Sequence, residues 1–170
     1  RNPLRSMPEP ESASNDYKVF ISYRRSDAAG HARALHRELS RRFDAGFAFF
    51  DRAGIEVGDD FPDRLRTAVE GCVVALILIG PGWLEARAAD GSRRLDDPAD
   101  FVRLEVALAL GSGKVVIPVL IDDAPMPASG RLPEALEALA RCDAFTLRGK
   151  DYEYERQLED LVRQLARRTD

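Results

Sequence analysis

Three short segments of this 170-residue chain carry side chains able to handle a flat, charged ligand. The first is Tyr23-Arg24-Arg25. A guanidinium pairs bidentately with phosphate or carboxylate, and an aromatic ring can stack on a base. A polar turn with solvated arginines reads equally from the same residues. The second runs from Asp51 through Arg52-Ala53-Gly54-Ile55-Glu56-Val57-Gly58-Asp59-Asp60. Its two glycines permit close backbone approach and mobility. Ile55 and Val57 between them suit a docking loop, although an ordinary strand-to-helix connector would look similar. The third is Asp100-Phe101-Val102-Arg103-Leu104-Glu105-Val106-Ala107-Leu108. On a helix Phe101 and Glu105, four apart, share a face. Glu105 interrupts an apolar run, so its carboxylate must face solvent, pair with a cation such as Arg103, or line a cleft, because burying it unpaired is costly.

Other apparent signals carry less. Gly111-Ser112-Gly113-Lys114 looks like part of a phosphate loop but leads from helix to strand, the reverse of what such a loop requires. His31 and His36 are five apart and point to different faces of one helix, which argues against a shared metal. There is no Gly-x-Ser-x-Gly motif and no Cys–His pair of the usual type, so a hydrolytic triad has no support.

Positioning these segments requires regular elements, and apolar runs alternate with helical patterns along the chain. Strands are predicted at 18–22, 47–51, 73–79, 115–121 and 142–147. The run at 73–79 is continuously apolar and β-branched, as in a strand buried on both faces. Helices are predicted at 26–43 with Ser26 as N-cap, at about 60–71, from Pro98 to a stop at Gly111, at 132–140 and at 151–168. Residues 1–16, rich in Pro, Ser, Asn and Glu, read as a flexible leader or linker ahead of one domain at 17–170. Five strand–helix alternations predict a doubly wound parallel sheet with right-handed crossovers. Ligands in such sheets sit outside the carboxyl ends of the strands, which directs attention to the loops after residues 22, 51, 79 and 121.

Composition narrows the function classes. The net charge is −4 and the basic residues do not cluster, so neither nucleic acid nor an anionic membrane is expected as a partner. No apolar stretch approaches the roughly 20 residues a membrane helix needs. The chain opens Arg1-Asn2-Pro3-Leu4 without a signal segment, and Cys72 and Cys142 are too few for a disulfide framework. A cytoplasmic protein with buried free thiols is the expectation. Arginine outnumbers lysine 22 to 3, a bias suggesting a GC-rich, bacterial genome.

Taken together, Val19 to Arg25, Phe49-Phe50-Asp51 with its glycine loop through Gly58, Val74 to Pro81, and Phe101 to Leu110 resemble the Toll/interleukin-1 receptor (TIR) family in order and spacing, over roughly residues 17–168. The resemblance implies a flavodoxin-like α/β fold, an open five-stranded parallel sheet in the order 2-1-3-4-5 with helices on both faces. It also implies self-association through the loop at 52–60. Some family members are interaction modules alone; others, bacterial, plant and axonal, cleave NAD+ between nicotinamide and ribose. Glu105 occupies the place of the catalytic glutamate of those enzymes, and Tyr23-Arg24-Arg25 looks like their corresponding run. The aromatic four residues earlier is usually Trp and is Phe101 here, which keeps a stacking face and loses an indole N–H. The implied substrate-binding residues are Tyr23, Arg24, Arg25, Asp51, Glu56, Gly58 and Phe101. NAD+ enters as substrate, with no cofactor or metal. A non-catalytic signalling module and a sensor that binds nucleotide without cleaving it are the other readings.

Overall fold

A computed structural model describes residues 17–50 and 63–170. The five strands are β1 (Val19–Ser22), β2 (Ala48–Phe49), β3 (Val74–Ile79), β4 (Val115–Leu120) and β5 (Phe145–Thr146). They form one parallel sheet in the order β2-β1-β3-β4-β5. The order reverses between β1 and β3, so the chain leaves these neighbours toward opposite edges, and in sheets of this kind ligands bind above the carboxyl ends at such a switch point. The expected fold class is the observed one.

All six residues of β3 are buried, because helices cover both faces. On one face α1 (Arg25–Arg42) presents Ala28, Ala32, Leu35 and Leu39, and α4 (Asp151–Thr169) presents Leu158, Leu161, Val162 and Leu165. These repeats of three and four residues give the apolar stripe a sheet-packed helix needs. They close over Val19, Ile21, Leu76 and Leu78. On the other face α2 (Asp63–Gly71) and α3 (Phe101–Gly111) pack with Phe20, Ala75, Ile77 and Ile79, the residues of alternate parity along the same strands.

Several boundaries differ from those predicted, each for a local reason. The N-cap of α1 is Arg24, without a side-chain capping bond, and Ser26 already lies inside the first turn. Helix α3 starts at Phe101 rather than Pro98, because Asp97 accepts from the Ala99 N–H through its side chain and Asp100 then caps the helix. The predicted helix at 132–140 is a 3₁₀ segment, Glu134–Arg141, whose buried Leu136 and Leu139 match a three-residue turn. The strand predicted at 142–147 shrinks to two residues. In β4 the N–H groups of Val115 and, just beyond the strand, Ile121 point to β3. Alternation then aims position 118 at β5, and Pro118 has no N–H to give, so the β4–β5 ladder starts only at Val119. The described part of β2 is likewise shorter than 47–51, and Asp51 lies outside the described residues, as do residues 1–16. Among the described residues no helix is long and apolar enough to cross a membrane.

Candidate active site at the sheet's carboxyl edge

After β1 the chain sends three consecutive side chains three ways. Tyr23, half-buried, packs against the α1/α4 core, its ring 5.9 Å from that of Phe50 at the end of β2. Arg25 is exposed at the first position of α1. Arg24 turns inward and is only 5% exposed. Its Nη1 and Nη2 donate to Asp100 Oδ1 and Oδ2 at 3.1 and 2.8 Å, and its Nε donates to the Trp83 carbonyl at 3.1 Å. Arg24, expected among the groups that hold a ligand, grips two other segments of the chain through its guanidinium.

Asp100 is the N-cap of α3, with Oδ2 accepting from the Arg103 N–H at 3.1 Å. Phe101 follows, half-buried, and Glu105 lies one turn later on the face that also buries Val102, Val106 and Ala109. Glu105 is 9% exposed and joins Ser22 and Arg24 as the buried polar residues of the described chain. A helix rises about 1.5 Å per residue, so Glu105 sits about 7.5 Å along the axis from the residue that Arg24 holds. Arg103, a conceivable partner for Glu105 from sequence, donates through Nη1 to the Leu95 carbonyl at 3.0 Å.

The loop after β3 completes the rim. Asp27, in the first turn of α1, accepts from the Gly82 N–H through Oδ2 at 2.9 Å. Gly80 leaves room for that carboxylate: a Cβ there would stand 2.5 Å from Asp27 Oδ2. Burial pushes the Asp27 carboxyl above the usual aspartate range, with the Gly82 N–H and then Arg24 opposing and Asp122 assisting. Asp122, just past β4, takes a positive φ of 51°, and its carboxylate meets His31 Nε2 at 3.2 Å while His31 Nδ1 meets the Tyr154 hydroxyl at 2.9 Å. His36 instead meets the Ala48 carbonyl at 3.0 Å. The two histidines thus serve separate places, and no group of three or more metal-ligating side chains occurs among the described residues.

The structure therefore brings Arg24 to the helix that carries Phe101 and Glu105, and sets Tyr23 and Arg25 at the same strand end. Asp51, Glu56 and Gly58 lie outside the described residues. Asp27, Trp83 and Asp100 escaped the sequence reading. Asp100 had a usable signal, an aspartate immediately before an apolar helical run; Asp27 and Trp83 had none.

A family model described as TIR domain matches residues 19–162. The chain belongs to the TIR family. The TIR domain is 30% identical over 140 residues, 82% of its length, to a Drosophila melanogaster protein named NAD(+) hydrolase sarm1, of which the match covers 10%. It is 26% identical over 121 residues, 71% of its length, to a Brachypodium distachyon protein named probable 2′ cyclic ADP-D-ribose synthase BdTIR, of which the match covers 46%. The chain thus spans a tenth to about half of these relatives' lengths. In fold it is similar to the TIR domains of the activated Roq1 resistosome recognising the effector XopQ, with a TM-score of 0.63, 16% identity and coverage of 88% of this chain and 99% of that one. A metazoan TIR-STING receptor from C. gigas in complex with 2′,3′-cGAMP gives 0.57 and 18%, covering 88% of this TIR domain and 39% of that chain.

Proposed function

We propose that this TIR domain is an NAD+ glycohydrolase that cleaves the nicotinamide–ribose bond and is switched on by self-association. The observation that carries the proposal is the buried carboxylate of Glu105, one turn after Phe101 on a helix capped at the sheet's carboxyl edge. The naming of two relatives as an NAD(+) hydrolase and a cyclic ADP-ribose synthase supports it.

The chemistry needs few groups. Ordinary glycosidases use two carboxyls because an oxygen leaving group must be protonated while the other face is attacked. Nicotinamide in NAD+ is already a cationic pyridinium and departs neutral, so no general acid is required. Positive charge develops on the ribose, and one preorganised carboxylate stabilises it, a kind of contribution commonly worth several kcal/mol. Glu105 takes that role and Phe101 packs against the bound nucleotide. Tyr23 and Arg25 would help hold the adenine dinucleotide. Asp51, Glu56 and Gly58 belong to the loop that would close over nicotinamide or reach a neighbouring TIR domain. Water trapping the ribosyl cation gives ADP-ribose; attack by the adenine ring gives a cyclic ADP-ribose. NAD+ is substrate throughout, and no resident cofactor is invoked. The free thiols Cys72 and Cys142 suit a reducing, cytoplasmic setting.

Purified protein incubated with NAD+ should release nicotinamide, steeply more per molecule as protein concentration rises. Glu105→Ala, folded by circular dichroism, should lose at least about a hundredfold in rate. Equal rates in parent and variant would refute the role of Glu105. No release even when the domain is fused to an oligomeriser would leave an interaction module without turnover.

A further inference from the structure

We infer that Arg24 is a positioning residue that fixes the helix bearing Glu105, not a ligand for the substrate's phosphates. Its catalytic consequence rests on the reading of the site as an NAD+ glycohydrolase; the structural clamp stands apart from it. Three observations converge. Arg24 is 5% exposed, so little of its guanidinium faces solvent. Both terminal nitrogens are engaged by the two oxygens of one carboxylate, and Nε by a main-chain carbonyl, which uses each of the three nitrogens inside the chain. The two acceptors belong to different elements, Trp83 in the loop after β3 and Asp100 at the start of α3.

The partners explain why arginine stands here. A planar fork satisfies two carboxylate oxygens and a third acceptor at once, whereas an ammonium is a point charge on a flexible stem. Asp100 is held from two sides. Arg24 grips it from the end of β1, and its Oδ2 also accepts the Arg103 N–H, one of the helix's orphan donors. The N-cap that fixes where α3 begins is therefore tied to the carboxyl end of β1. Glu105, five residues after Asp100, inherits its height and rotation from that anchor. Reaction rates depend steeply on such placement, and an error of about 1 Å can cost on the order of a hundredfold.

Two substitutions separate this role from phosphate binding. Arg24→Lys keeps a positive charge at the crevice and removes the fork. Asp100→Asn keeps a good N-cap acceptor and removes the ionic partner. If Arg24 acts through Asp100, each variant lowers kcat for nicotinamide release about ten- to a hundredfold with KM for NAD+ changed less than about threefold, and the double variant is no worse than either single one. A Lys variant with raised KM and parental kcat, beside an unaffected Asp100→Asn, would overturn the inference and return Arg24 to the substrate. Amide hydrogen exchange decides the clamp without turnover: Arg103 and Leu104 should exchange at least about tenfold faster in both variants than in the parent. Parental protection in Arg24→Lys would sink the clamp whatever the activity. An inactive parent with these amides deprotected in both variants would sink the glycohydrolase reading and leave the clamp standing.

Discussion

Gly80 offers a measurable test of how the loop after β3 packs against α1. A methyl group at this position would lie 2.5 Å from Asp27 Oδ2 and 2.8 Å from its Cγ, well inside van der Waals contact. The backbone dihedral of Gly80 is not in the left-handed region, so Gly80→Ala acts through that collision alone. Asp27 must swing away by about 1 Å, which removes the 2.9 Å bond it accepts from the Gly82 N–H. A hydrogen bond to a charged group is worth about 1.5–3 kcal/mol, and forced overpacking costs about 1–3 kcal/mol. The chain takes the cheaper relaxation, so Gly80→Ala should destabilise by about 1–3 kcal/mol, or roughly 2–12 °C in Tm for a chain of this length. Urea denaturation of the parent, Gly80→Ala, Asp27→Ala and the double variant supplies a double-mutant cycle. With Asp27 truncated the collision is gone, and Gly80→Ala should then cost less than about 0.5 kcal/mol. If it costs as much without the aspartate as with it, the contact between Asp27 and the loop after β3 is not what excludes a side chain at position 80.

The raised Asp27 carboxyl gives a pH dependence of opposite sign to that of a salt-bridged acid. Between its unfolded and folded values the native state holds the extra proton, so Asp27 subtracts from stability as pH rises through the range just above an ordinary aspartate. Asp27→Asn, which keeps an oxygen for the Gly82 N–H, should therefore be more stable than the parent at neutral pH, with the advantage shrinking as pH falls through the range just above the usual aspartate pKa and levelling off below it. An advantage independent of pH in urea melts would contradict this. The thiols should differ in reactivity. Burial pushes Cys72 up to about 11, and also raises Cys142, but Cys72 is fully buried and Cys142 only partly so. At pH 8 about a thousandth of Cys72 is thiolate, so mass spectrometry after brief iodoacetamide treatment should find Cys142 labelled first. Equal labelling would show that Cys72 is less enclosed than described.

The fold was legible because its signals are local and repeated. The apolar run of β3 and the three- and four-residue repeats of α1 and α4 state their own geometry. Strand–helix alternation predicted the doubly wound parallel sheet, and the family resemblance supplied its strand order. The site was legible only in part. Glu105 was visible as a charge inside an apolar run, a conflict that shows in one dimension. The pairing of Arg24 with Asp100 was not visible, because Asp100 lies 76 residues away and an arginine beside a predicted crevice reads the same whether its fork meets a ligand or a carboxylate of its own chain. Element ends were misjudged where one side chain overrides propensity. Asp97 and Asp100 delay α3 past a proline well suited to starting a helix, and Leu136 with Leu139 tightens an expected α-helix into 3₁₀.

The imino nitrogen of Pro118 has a consequence for how the chain assembles. A β5 slid two residues toward the start of β4, with Phe145 beside Ile117 and Thr146 beside Pro118, would keep the parity of its faces and so escape the penalty that a one-residue slip incurs. Pro118 removes that escape, since the displaced strand would present a carbonyl where β4 has no hydrogen to offer. With only Phe145 and Thr146 paired, the alignment of the last strand rests on this single blank position and on the docking of α4 behind it. A residue that weakens the sheet by one bond thus acts as its register mark.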